Sequence, residues 1–161
     1  MHPAALEWVR EHAPAWPVTV VDIGGRDVNG TVRHLFDATS YTSIDLFPGP
    51  AVDIVADFCE VLLDPVDVVV CCEVAEHTWS WPQIVARASN TLRAGGRLIF
   101  TAAGPARTPH SALDGGPVRD GEWYGNVEPV DLDEVLAIHF DHHEIDVAGA
   151  DIRAVAWKAS A

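Results

Sequence analysis

The chain predicts an α/β fold in one domain, built on a mostly parallel sheet that closes with an antiparallel hairpin. Three observations carry this. Residues 18–23 and 67–72 are short β-branched apolar runs, the pattern of strands buried on both faces. Strand-like and helix-like segments alternate as far as residue 102, which implies parallel pairing through right-handed crossovers. Near the end, residues 144–147 and 152–157 form two strand-like runs joined by Ala148-Gly149-Ala150-Asp151, short enough for a hairpin. A length of 161 residues fits a single domain, residues 1–161, around one core.

Taken in order, residues 3–12 predict a helix within an N-terminal segment, 1–16, with Pro3 in its first turn and Pro14 and Pro17 ending it. After the strand at 18–23, Asn29 caps a predicted helix whose Val32, Leu35 and Phe36 share one stripe. Residues 41–46 follow as a strand broken by Pro48-Gly49-Pro50, and residues 52–56 as another. If the third strand must pass over the second and first to reach the fourth, residues 58–66 cover about three strand spacings of ~4.8 Å plus a strand length, near the limit of the chain, so the usual intervening helix is absent or a single turn and helix content there is reduced. Ser80 and Gln83 form a capping box, with Pro82 in the first turn of a helix that Gly95-Gly96 closes. Residues 97–102 are a strand. Regular patterning stops over 103–129, and a loop of that length is usually functional. Asp131 and Glu134 open the last helix ahead of the hairpin.

Composition excludes several roles. A hydrophobic fraction of 48% with 21% charged residues is that of an ordinary globular protein, and no run approaches the ~18 apolar residues of a membrane span. The first ten residues carry Glu7 and lack the apolar core of a signal peptide, so a cytoplasmic location and no membrane partner are expected. A formal charge of −14, from 24 acids against 10 bases, argues against a nucleic acid partner. Cys59, Cys71 and Cys72 lack metal or disulfide spacing and read as reduced packing residues. His139, His142 and His143 have no cysteine near them, and no metal site is expected.

The chemistry concentrates at two segments. Val18-Thr-Val-Val-Asp-Ile-Gly-Gly-Arg-Asp-Val-Asn-Gly30 reads as strand, glycine-bearing turn and helix start, and Ser43-Ile-Asp45 as a neighbouring strand ending in a carboxylate. Backbone N–H groups at such a turn, with an acid able to accept both ribose hydroxyls, are the parts needed to hold an adenosine-type cofactor.

These residues resemble the class I S-adenosylmethionine-dependent methyltransferases. Asp22-Ile-Gly24 is similar to that family's first motif, Ile44-Asp45 to its ribose acid, Cys72-Glu-Val-Ala-Glu-His77 to its E-V-L-E-H segment, and Leu92-Arg-Ala-Gly-Gly-Arg-Leu98 to its turn into strand five. The resemblance implies a Rossmann-like domain with S-adenosyl-L-methionine as cofactor. It assigns Asp22, Gly24, Gly25 and Asn29 to the cofactor loop, Asp45 to the ribose, Leu46, Phe47, Asp57 and Phe58 to the adenine, and Glu73 to the sulfonium side. His77, one turn on, would face the acceptor. Arg26 departs from the family by standing where a second loop glycine is usual.

The long loop offers groups for acceptor chemistry in His110, Asp114, Glu122, Tyr124 and Asn126. His110 is the first candidate for a base, because imidazole titrates near working pH, with His77 and Glu122 beside it. Cys72-Glu-Val-Ala is not the tetrapeptide of amino-methylating DNA enzymes, which leaves a small molecule, sugar or nucleotide as acceptor, by O- or N-methylation. Two alternatives stand beside this reading: an NAD(P)-dependent reductase, although G-x-G-x-x-G is lacking, and a cofactor-binding partner subunit without turnover.

Overall fold

The computed structural model describes residues 3–160. Its elements are α1 (Pro3–His12), β1 (Val18–Ile23), β2 (Ala38–Asp45), β3 (Ile54–Val55), β4 (Val66–Cys72), α2 (Trp81–Thr91), β5 (Leu92–Ala103), α3 (Pro129–His139), β6 (His142–Ala148) and β7 (Asp151–Trp157). They form one seven-stranded sheet in the order β3-β2-β1-β4-β5-β7-β6. β1 to β5 pair in parallel, and β7 lies antiparallel between β5 and β6. The α/β class, the parallel majority and the terminal hairpin are as the sequence predicts. Between β3 and β4 there is only the single 3-10 turn Phe58–Glu60, again as predicted.

Alternation along the central strands builds a core on each face. Val21 and Ile23 of β1, Val69 and Cys71 of β4, and Leu98 and Phe100 of β5 point to the face covered by α2 and α3. Val18, Val20, Val68, Val70 and Ile99 point to the other, where α1 lays Trp8 and Val9. Trp8 Nε1 donates to the Ala154 carbonyl at 3.2 Å, fixing α1 on β7.

Three expectations need correction. The helix after Asn29 does not form, and residues 24–37 contain only the 3-10 turn Arg33–Leu35. The reason is reach. The chain must return along the six residues of β1, about 20 Å at ~3.3 Å per residue, whereas residues 31–37 coiled as α-helix would cover only about 10 Å at ~1.5 Å per residue. An extended return is required, and Val32 and Phe36 still reach the core as predicted, from an irregular segment. Secondly, Ser80 makes no cap bond with its side chain; its Oγ pairs instead with Thr78 Oγ1 at 2.7 Å. Thirdly, Gly95-Gly96 does not close α2, which ends at Thr91 and passes straight into β5. The glycines lie in a bulge: Val66 pairs with Leu92 but Val68 with Arg97. Gly95, at φ 76°, donates its N–H to the Ala159 carbonyl there at 2.9 Å.

Candidate active site

Parallel pairing brings the C-terminal tips of β1, β2 and β4 to one edge of the sheet, with Ile23 opposite Ile44 and Cys71. A cleft of about 1230 Å3 opens there, walled on its far side by residues from the 106–117 stretch of the loop after β5. At the β1 tip Gly24 takes φ +71°, and a Cβ on it would stand 2.3 Å from Val74 Cγ2. Only glycine lets the two strand-end loops approach this closely. Its N–H and that of Gly25 both donate to the Ile44 carbonyl, at 2.8 and 3.4 Å.

Of the residues singled out in the sequence, Gly24, Asn29, Asp45, Leu46, Phe47, Asp57, Phe58, Glu73, His77 and His110 all line this cleft. Asp45 accepts from the Phe47 N–H at 2.9 Å and the Arg26 N–H at 3.3 Å, so the loops after β1 and β2 are tied through one carboxylate. Leu46 and Phe47 are 64% and 50% exposed at the mouth, apolar surface open to a ligand. Phe58 is buried on the floor, and Asp57 caps the 3-10 turn behind it by accepting from the Cys59 N–H at 2.8 Å.

Six do not line it: Asp22, Gly25, Asp114, Glu122, Tyr124 and Asn126. Asp22 is buried behind the loop, where it accepts from the Tyr41 hydroxyl at 2.7 Å, and burial pushes its carboxyl up to about 7. Gly25 abuts it, since a Cβ there would meet Asp22 Oδ2 at 2.7 Å and Ser43 Oγ at 2.3 Å. Neither lines the cleft. Glu122 accepts from Ser111 Oγ at 2.7 Å and the Arg119 N–H at 2.8 Å, bonds that hold its carboxyl below the usual range and make it a clasp within the loop. Among the described residues His139, His142 and His143 do not converge: His142 stacks on Trp157, and His143 bonds Asp133 at 2.8 Å.

The β4 tip carries the concentrated charge. Glu73 sits at φ 58°, an unusual backbone state for a side-chain-bearing residue. It accepts from Thr101 Oγ1 at 2.8 Å, and Arg107 lies 3.7 Å from its other oxygen while pairing with Asp151 at 2.5 Å. One turn on, the rings of His77, His110 and Tyr124 meet edge to face, with centroids 5.0 to 5.6 Å apart. Burial, with His110 adjacent, pushes His77 down to about 4, and burial pushes the Glu76 carboxyl up.

Sequence reasoning missed Arg107, Arg26 and Glu76. Arg26 reaches over the cleft, its guanidinium 5.7 Å from the Phe47 ring and bonded to the Ala112 carbonyl at 3.3 Å. Its place in a glycine position was the available signal. Glu76 reads in sequence as a helix-start acid, and nothing local distinguishes that from full burial.

A family model described as a methyltransferase domain matches residues 2–100, more than half of the chain. No curated protein matches the sequence. Among solved structures, the fold is similar to a Burkholderia thailandensis 1,6-didemethyltoxoflavin-N1-methyltransferase with bound 1,6-didemethyltoxoflavin and S-adenosylhomocysteine, at TM-score 0.71 and 16% identity over 98% of this chain and 78% of that one. It is also similar to a Haemonchus contortus phosphoethanolamine N-methyltransferase 2, at TM-score 0.69 and 13% identity over 98% of this chain and 52% of that one. An O-methyltransferase family protein from Burkholderia thailandensis matches at TM-score 0.65 and 15% identity, over 98% and 55%. The strand order, the cleft at the strand tips and the family match agree, and the chain belongs to the methyltransferase-domain family within the class I S-adenosylmethionine-dependent superfamily.

Proposed function

We propose that this methyltransferase acts on a small molecule, a metabolite, sugar or nucleotide bearing a hydroxyl or an amine. The observation that carries the reading is the cleft itself. At about 1230 Å3 it exceeds the ~300–1,000 Å3 of a pocket for one drug-sized ligand, leaving room for an acceptor beside the cofactor. Its two ends also differ in chemistry. Asp45, Leu46, Phe47, Asp57 and Phe58, beside the close turn at Gly24, supply carboxylates and apolar surface suited to an adenosine, while His77 and His110, backed by Tyr124, form an aromatic, proton-accepting edge.

When bound, S-adenosylmethionine supplies a methyl group already attached to its leaving group, so the protein's work is alignment and exclusion of water. Asp45 accepts from the ribose hydroxyls and Leu46 and Phe47 cover the adenine. Glu73, held by Thr101, lies on the sulfonium side, where an anion is electrostatically favourable. His77 and His110 bound the acceptor, and residues from the 106–117 stretch wall it off. The loop's internal bonds, Glu122 to Ser111 and Asn126 Nδ2 to the Pro105 and Arg107 carbonyls at 3.1 Å each, suit a wall that keeps its shape.

Titration calorimetry with S-adenosylmethionine, S-adenosylhomocysteine and NADH tests the cofactor. S-adenosylhomocysteine release across a panel of hydroxyl and amine acceptors then tests the substrate class. Binding of NADH in place of S-adenosylhomocysteine would overturn the reading, and tight cofactor binding with no release on any small acceptor would remove the small-molecule part of it.

A further inference from the structure

At the acceptor end of the cleft lies a group of side chains whose arrangement the methyl-transfer reading does not explain. Glu76 is 0% exposed, and neither of its carboxylate oxygens has a hydrogen bond of normal geometry. Its carbonyl accepts from the Gly125 N–H at 2.9 Å, and the N–H groups of Glu76 and Ala103 lie beside the carboxyl without closing a bond of normal geometry. A carboxyl buried in that state stays neutral unless a cationic partner arrives to favour its ionised form. The Glu76 carboxylate and one ring nitrogen each from His77 and His110 all lie within 4.8 Å of one another. The Tyr124 ring packs edge to face on both imidazoles, and its hydroxyl is buried without a hydrogen-bond partner.

We propose that Glu76, His77 and His110 bind one divalent transition-metal ion, which holds an oxygen of the methyl acceptor in a position open to the cleft. Two imidazoles and one carboxylate suit Zn2+, Mn2+, Fe2+ or Co2+ better than Mg2+ or Ca2+, which favour oxygen-only sets. Ligand bonds of ~2.0–2.2 Å put donors up to about 4.3 Å apart across an ion, so the present spacing closes with small side-chain shifts. His110 already has the outer bond expected of a ligand. Its Nδ1 lies 3.2 Å from the Thr108 carbonyl, which can only accept, so the neutral ring keeps its lone pair on Nε2.

The inference rests on the methyl-transfer reading and narrows its acceptor to an oxygen ligand, a hydroxyl, phenol or carboxylate. The test uses the full chain freed of metal by chelation and dialysis. Co2+ is titrated while visible absorption is followed, Zn2+ and Mn2+ are titrated by calorimetry, and bound metal is counted by elemental analysis. One ion per chain with micromolar or tighter affinity is expected, weakened at least tenfold by His110→Ala and by Glu76→Gln, and unchanged by His142→Ala on the distant hairpin. Because Glu76→Gln alters a buried site and can disturb folding, His110→Ala on the loop decides. Binding of no ion, or of one insensitive to His110→Ala, overturns the metal site. S-adenosylhomocysteine calorimetry on the same samples separates the two readings. Cofactor binding without ion binding leaves the methyl-transfer reading standing and ends this one. Ion binding without cofactor binding keeps the metal site and ends the methyl-transfer reading.

Discussion

Gly24→Ala tests whether the closeness of the two strand-end loops shapes the cleft. The new Cβ would stand 2.3 Å from Val74 Cγ2, with φ held at +71°. The left-handed backbone costs an alanine about 1–2 kcal/mol. Relief of the overlap must come from Val74, whose branched side chain is stiff, and adds about 1–3 kcal/mol. The expected destabilisation is therefore about 2–5 kcal/mol, read by urea denaturation followed by circular dichroism. Val74→Ala separates the two costs. It removes Cγ2 and leaves Val74 Cβ as the nearest atom at 3.6 Å, an ordinary contact. The double variant should thus be more stable than the sum of the singles by about 1–3 kcal/mol, while the backbone cost remains. Affinity for S-adenosylhomocysteine should fall in Gly24→Ala and partly recover in the double. Additivity within ~0.5 kcal/mol, or a Gly24→Ala protein as stable as the parent, would refute the steric argument.

Four further outcomes are expected. Asp45→Ala should weaken S-adenosylhomocysteine binding by about 1–3 kcal/mol in calorimetry, the loss of a charge-assisted hydrogen bond; unchanged affinity would remove Asp45 from the site. Asp22 has its folded carboxyl raised from 3.8 to about 7 by burial, so the folded state holds a proton that the unfolded state has lost. Stability is then greatest below pH ~4 with respect to this group and falls by a few kcal/mol as pH rises toward 7. Asp22→Asn, which still accepts from Tyr41, should flatten that slope in denaturation curves between pH 4 and 7, and an unchanged slope would assign it to other groups. His110→Ala should lower turnover while leaving cofactor affinity within twofold, and equal losses in both would mean that the loop folds over the cofactor. Glu122→Gln should loosen residues 111–122, raising acceptor KM and amide exchange there with cofactor affinity unchanged; unaltered exchange would show that the clasp does not order the loop.

The strands were legible because their cause is local. Val18 to Ile23 is apolar but for Thr19 and Asp22, and β4 but for Asp67, so both must be covered on both faces wherever they lie; Gly24 follows directly at the tip of β1, and Asp45 ends β2 beside it. The terminal hairpin was legible for the same reason, its two runs being too close in sequence to pair any other way. What tertiary structure alone decided depends on distances between segments remote in sequence. Residues 31–37 have a helical stripe, yet the length of β1 that they must retrace forces them to extend. Asp22 looks like a cofactor-loop acid until Tyr41, on the neighbouring strand, comes down upon it. Glu76 and His77 gain His110 and Tyr124 as neighbours only because β5 and the loop after it return the chain to the β4 tip. Apolar periodicity records which residues need burial. Which polar groups share the resulting cleft is set by strand register and crossover length, and neither is written in any single segment.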